Sequence, residues 1–154
     1  MRLSSKSRHA VAAMIDLGLK SRTRPVALVD ILDDHDISLS YLEQIFSRLK
    51  DSKLVVGIRG PRGGYRLARP ADEISMADIV NAVEETSHRG RKSRVTGHRS
   101  PAHELWDQLS ERIHDFLDDI KLAELLEKAN IAEFARRNPR HFQDSEYLPR
   151  RRAA

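Results

Sequence analysis

Apolar residues recur every three or four positions within the first twenty residues, which predicts an amphipathic helix. The apolar positions are Val11, Met14, Ile15 and Leu19. Ser4 and Ser5 are suited to cap its beginning, and the helix should end near Lys20, before Arg24 and Pro25.

Two further helical segments follow Pro25 and are separated by a short turn. The first covers Leu28 to Leu32, and the turn Asp36-Ile37-Ser38 ends in a serine suited to cap the second. The second runs to about Asp51 with an apolar stripe at Leu39, Leu42, Ile45, Phe46 and Leu49. Two short helices joined by such a turn are typical of a helix-turn-helix.

A β-hairpin is predicted directly after these helices. Residues 54–59 and 65–68 form two short strand-like runs, and Gly60-Pro61-Arg62-Gly63-Gly64 lies between them. Glycine and proline provide the backbone conformations that a tight loop needs. The predicted fold class is therefore mainly α: a winged helix-turn-helix with a small hairpin wing and a long C-terminal dimerisation helix.

The remaining chain divides by pattern into a helix, a basic loop, two helices and a tail. A helix after Ser75 stops near residues 84–86 and completes a DNA-binding domain over residues 1–85. A basic effector-type loop is predicted over residues 86–102. The next segment, 103–130, contains a dimerisation helix opened by Pro101 and a short helix that ends at Ala129. The last segment, 131–154, is predicted to be a mobile polar tail. The dimerisation stripe is predicted at Leu105, Leu109, Ile113, Phe116 and Ile120.

Charge and composition narrow the possible partners. The net charge is +4, with basic runs at the start, across residues 59–69 and 89–99 and at the end, which favours an anionic partner. The absence of cysteine excludes disulfides and thiol catalysis, and the apolar runs are too short for a membrane span. We expect a cytoplasmic protein with no membrane partner.

Polar side chains on the third helix and on the wing have the chemistry of DNA contacts. Gln44 can pair with adenine, Glu43 can accept from cytosine, and arginines of a wing can enter a narrow minor groove. The predicted DNA-binding residues are Ser38, Ser40, Tyr41, Glu43, Gln44, Arg48, Arg59, Arg62, Arg2 and Lys6.

The clustered histidines near the basic loop are candidate metal ligands, together with Asp107 four residues after His103 on the same helical face. His88, His98 and His103 are clustered, but neighbouring arginines and lysines would repel a cation, so a solvated loop is favoured over a metal site. Neither acidic pairs nor a nucleophile with a base assemble into a catalytic group in the sequence, which indicates a protein that is not an enzyme.

Three segments carry a specific family resemblance over about residues 1–130. Residues 1–6, 37–49 and 59–65 resemble the IscR-like bacterial iron-sulfur cluster regulators of the Rrf-type winged-helix family, and Leu105-Trp106 resembles the start of their long helix. The resemblance implies a homodimer on an imperfectly palindromic double-stranded DNA, with Glu43 tuning base tolerance. It also implies a [2Fe-2S] cluster on three cysteines and one histidine.

The chain departs from this family at the cluster. The cysteine positions correspond to His88, Arg94 and Ser100, and the histidine to His103. A cluster of the usual ligation is therefore excluded, and no cofactor is expected. The first interpretation is a regulator of iron-sulfur, iron or sulfur metabolism genes that binds one DNA class constitutively. Two alternatives are also regulators: one signals through another effector, and the other responds to metal through loop histidines. A third alternative is a winged-helix protein-interaction module.

Overall fold

The computed structural model describes residues 4–32, 36–84 and 101–137. Their elements are α1 (Ser5–Lys20), α2 (Leu28–Leu32), α3 (Leu39–Asp51), β1 (Val55–Ile58), β2 (Gly64–Leu67), α4 (Met76–Val83), α5 (Pro101–Asp119) and α6 (Leu122–Arg137). A single 3-10 turn, Ala71–Glu73, precedes α4. The predicted order of helices and hairpin is confirmed.

Serine side chains begin three of the helices. Ser4, Ser38 and Ser75 each accept a hydrogen bond from the backbone N–H three residues later, at the start of α1, α3 and α4. At α4 the side chain of Asp78 also accepts from the backbone of Ser75, which completes a reciprocal capping box. These contacts satisfy backbone donors that a helix leaves unpaired in its first turn.

The hydrophobic core lies where α1, α3 and α4 pack together. Its centre is formed by the fully buried side chains of Met14, Leu17, Leu42, Phe46 and Ile79. The Phe46 ring also contacts the ring of Tyr65 in β2 edge-on, with ring centroids 4.9 Å apart. Helix α3 and the wing are thus fixed to one core.

The wing is paired on both edges of β2. One edge forms an antiparallel ladder with β1, from Val55 opposite Leu67 to Ile58 opposite Gly64. The other edge pairs with Val26, whose backbone N–H and C=O both bond to Tyr65 at 2.8 Å. The bond to Val26 was absent from the sequence prediction, because a single-residue bridge has no periodicity to detect.

The turn between α5 and α6 is joined to the beginning of α4. The backbone N–H of Met76 donates to Ile120 O at 2.9 Å, and that of Leu122 donates to Ile74 O at 2.8 Å. The Ser75 hydroxyl donates to the Asp118 carboxylate at 2.8 Å. We call this set of bonds the elbow; it fixes the long helix to the winged domain.

Three details of the sequence prediction need correction. Helix α6 continues to Arg137, so residues 131–137 are helical and not part of a polar tail. Ile120, predicted on the dimerisation stripe, packs against the core of its own subunit, while Leu39, predicted on the buried stripe of α3, is 37% exposed. For Ile120, packing against neighbouring elements decides burial more strongly than spacing along one helix.

Candidate nucleic-acid interface

Helix α3 buries one side and presents the other to solvent. Leu42, Ile45, Phe46 and Leu49 are buried, whereas Ser40, Glu43, Gln44 and Ser47 are exposed. Because residues three and four apart share a helical face, the exposed side chains form one continuous polar surface. Hydroxyl, carboxylate and amide groups arranged in this way can bond to base edges in a major groove.

Two of the predicted contact residues at the beginning of α3 have structural roles as well, and a third is only partly exposed. Ser38 is exposed but caps the helix by accepting from the backbone N–H of Tyr41. Tyr41 is half-buried and packs against the core, and Arg48 is half-buried near the end of the helix. Tyr41, predicted as a DNA contact, is therefore only partly available on the exposed surface.

The tip of the wing carries the two predicted arginines. Arg59 and Arg62 are both exposed, and the turn between them is closed by the bond from Gly63 N to Gly60 O at 2.9 Å. Gly60 has a φ of +118°, a conformation that side-chain-bearing residues rarely adopt. A firmly closed turn with two exposed guanidinium groups suits insertion into the negative potential of a minor groove.

The beginning of α1 lies beside the beginning of α3. His9 of α1 contacts Tyr41 of α3, and Lys6 precedes His9 by one helical turn, so it shares that side of α1. Lys6 is half-buried. The other basic residue predicted there, Arg2, lies outside the described residues.

A carboxylate joins the start of α1 to the end of α4. Glu84 accepts hydrogen bonds from the Ser4 hydroxyl at 2.6 Å, from the Ser4 backbone N–H at 3.3 Å and from the Ser7 hydroxyl. The Ser4 and Ser7 hydroxyls hold the pKa of Glu84 below the ordinary value of 4.5, and the Ser4 hydroxyl has the larger effect. The charge of Lys6 lowers this pKa further. We call these three residues the Glu84 clasp.

The Glu84 clasp predicts an acid-dependent part of the protein's stability. A depressed pKa in the folded state means that the stabilisation is complete above pH 4.5 and is lost as the pH falls through the lower, folded pKa. Glu84→Gln should therefore lower Tm at neutral pH, and its difference from wild type should shrink below pH 4.5. The exposed Glu73→Gln is the matched control; a difference for Glu84→Gln that stays constant with pH would contradict the clasp.

None of the three histidines considered as metal ligands has a described side chain. His88 and His98 lie outside the described residues, as does the side chain of His103. Within residues 4–32, 36–84 and 101–137, no group of three or more potential ligands is arranged to hold a metal ion. None of the helices in these ranges is long and apolar enough to cross a membrane.

The contact between His9 and Tyr41 was not anticipated from the sequence. His9 lies on α1, and its partner Tyr41 lies on another helix, 32 positions further along the chain. A long-range contact between two side chains has no signature in local spacing.

A capped helix with an exposed polar face, preceded by a short helix and followed by an arginine-tipped hairpin, defines a winged helix-turn-helix DNA-binding protein. Sequence comparison narrows this class. Residues 3–128 match the Rrf2 family, described as an iron-dependent transcriptional regulator, and the chain belongs to that family.

Similar proteins agree with this assignment. The HTH-type transcriptional regulator IscR of Erwinia tasmaniensis is 48% identical over 141 residues, which cover 89% of this chain and 86% of that protein. The structure of T. potens IscR matches with a TM-score of 0.73 and 32% identity, covering 86% of this chain and 90% of that one.

A second solved structure belongs to CymR, the global cysteine regulator of B. subtilis. It matches with a TM-score of 0.69 and 32% identity, covering 83% of this chain and 98% of that one. The protein is thus a DNA-binding transcription regulator and not an enzyme.

Proposed function

We propose that the protein is a homodimer that binds an imperfectly palindromic operator and regulates genes of iron-sulfur, iron or sulfur metabolism without a cysteine-ligated cluster. The observation that carries the DNA-binding part is the exposed polar face of α3 beside the exposed Arg59 and Arg62. The choice of genes rests on the family and on the similarity to IscR proteins.

An exposed apolar surface on α5 supports the homodimer. Leu105, Leu109 and Phe116 are 63%, 43% and 66% exposed and are spaced four and seven residues apart, so they form one ridge, the α5 ridge. Trp106, at 64% exposure, lies next to it. Apolar side chains of this size on one continuous surface are typical of an interface.

An apolar groove supplies a complementary surface. It has a volume of about 330 Å³, and its apolar lining includes Val11 and Ile15 of α1, Met76 and Val80 of α4, and Leu117 of α5. In a twofold dimer the same two surfaces are used twice, so the ridge of each subunit has a groove available in the other.

Charge also favours this pairing. Arg8 lines the groove, whereas the exposed face of α5 carries Glu104, Glu111 and Asp115. Opposite charges around an apolar contact orient two subunits and disfavour incorrect pairings. We therefore place the second subunit of the dimer on α5 and the groove.

The donor atoms of the chain do not fit a [2Fe-2S] cluster of the usual kind. Such clusters are held by thiolates, and the sequence has no cysteine. We propose that the operator is bound without a cluster, and no step of the function is assigned to one.

Operator binding is testable with selected DNA. From a pool of random DNA sequences, the protein should enrich an imperfect palindrome whose two half-sites are separated by about one helical turn. Affinity should fall by orders of magnitude from low to moderate salt, because neutralised phosphates release counterions. Failure to enrich any sequence, or binding that hardly responds to salt, would contradict the proposal and favour a protein-interaction module.

Gln44→Ala should reduce affinity for the enriched operator by about 5- to 150-fold, since a bidentate base contact contributes roughly 1–3 kcal/mol of discrimination. Affinity for random DNA should hardly change. Lys50→Ala, at an exposed position of the same helix, is the control and should act on both DNAs equally. Fluorescence anisotropy measures all four affinities, and an equal loss on both DNAs for Gln44→Ala would remove its assignment to a base.

A further inference from the structure

We infer that His9 is a positioning residue for operator recognition, acting through Tyr41. This inference rests on the proposed function, because it concerns how the reading surface of α3 is held. His9 itself lies on α1, outside the helix-turn-helix.

The geometry is an edge-to-face contact between two rings. The centroids of the His9 and Tyr41 rings are 5.6 Å apart and the ring planes are perpendicular. This arrangement places the positive edge of one ring on the negative face of the other, and it constrains the orientation of both. Tyr41 is half-buried by this contact and by the core.

The buried nitrogen of the imidazole does not account for its position. Its Nδ1 is buried and has no hydrogen-bond partner among the described residues. A shielded nitrogen without a partner lowers stability. Within the part of the chain that the structure describes, the edge-to-face contact with Tyr41 is the ring contact that His9 makes.

Tyr41 connects this contact to the reading surface. It lies in the first turn of α3, next to the exposed Ser40 and three residues before the exposed Gln44. Its backbone N–H donates to the capping hydroxyl of Ser38. A fixed Tyr41 ring therefore holds the phenolic hydroxyl of Tyr41 in one position. It also steadies the first turn of the recognition helix, where base contacts are made.

Three variants separate the ring contact from simple filling of space. His9→Phe keeps an aromatic ring and removes the shielded nitrogen, His9→Leu fills a similar volume without a ring, and His9→Ala removes both. His9→Leu and His9→Ala should reduce the ratio of operator to random-DNA affinity by about 2- to 10-fold, the range of an edge-to-face pair. His9→Phe should keep the ratio of wild type and have an equal or higher Tm.

The same variants in a Tyr41→Ala background test whether His9 acts through Tyr41. There, His9→Leu should produce no further loss of selectivity, because the ring that it positions is absent. A His9→Leu protein as selective as wild type, or an undiminished loss in the Tyr41→Ala background, would overturn the inference. A wild-type protein without any operator preference would overturn the proposed function and this inference together.

Discussion

Leu109→Asp combined with Phe116→Asp should convert the protein to monomers and lower operator affinity by at least about 100-fold, because each subunit would bury unpaired carboxylates at the proposed interface. Both side chains belong to the α5 ridge and are 43% and 66% exposed. Their replacement therefore removes little packing from the subunit's own core. Sedimentation velocity gives the mass, and anisotropy gives the affinity.

A neighbouring residue provides a closely matched control. Gln108 is exposed on the same helix, so Gln108→Asp adds the same charge and the same helix-weakening residue as Leu109→Asp, beside the ridge and not on it. This control should stay dimeric and bind the operator. A wild-type monomer, or a double variant that stays dimeric and binds tightly, would show that the ridge is not the interface.

Gly64→Ala should destabilise the wing and, through it, the folded domain by at least about 2 kcal/mol. Gly64 has a φ of +152°, and a Cβ at this position would lie 2.4 Å from the carbonyl oxygen of Val26. Since that contact is with backbone, no rotation of a side chain can relieve it. The bridge between Val26 and Tyr65 must open, and Arg59 and Arg62 lose their fixed support.

Gly57→Ala is the control for this change. Gly57 lies opposite Tyr65 in the hairpin, and a Cβ there would meet only Tyr65 Cε1 at an ordinary 3.7 Å. Urea unfolding should therefore show a small change for Gly57→Ala and a large one for Gly64→Ala. Operator affinity should follow the same order, and equal stability losses for both glycines would show that the approach to Val26 is not limiting.

Local features of the fold were predictable because their causes lie close together in the sequence. Ser4 and Ser38 cap helices through a backbone group three residues away, and the glycine-rich turn of the hairpin lies directly between its two strands. Predictions over such distances agree with the structure within one or two residues. The buried face of α3 was also predicted correctly, except at Leu39.

Features that depend on distant partners were not predictable in this way. The Glu84 clasp joins residues 77 and 80 positions apart, and the elbow joins α4 to a turn about 45 residues further along the chain. Helix α6 extends past Ala129 to Arg137, although its apolar residues follow no single stripe beyond that point. The pairing of helices does not produce a recognisable hydrophobic pattern within a single stretch of sequence. The same holds for the position of half-buried side chains.

The candidate DNA contacts divide in the same way. The exposure of Gln44, Glu43 and Ser40 follows from the helical period and was anticipated. The half-buried position of Tyr41 depends on the core and on His9, which lies on another helix. Base-reading chemistry can thus be read from residue types, while the support of the reading residues needs the tertiary structure.

The elbow has a consequence for the length of the operator. Because backbone hydrogen bonds attach the long helix to α4, a dimer formed on α5 would hold its two recognition helices at one separation and one relative rotation. Inserting a single base pair between half-sites turns one of them by about 35° around the DNA axis. The affinity of such a regulator would depend on the length of the spacer as strongly as on the bases of the half-sites. Genomic sites with correct half-sites but an altered spacer would therefore lie outside its regulon.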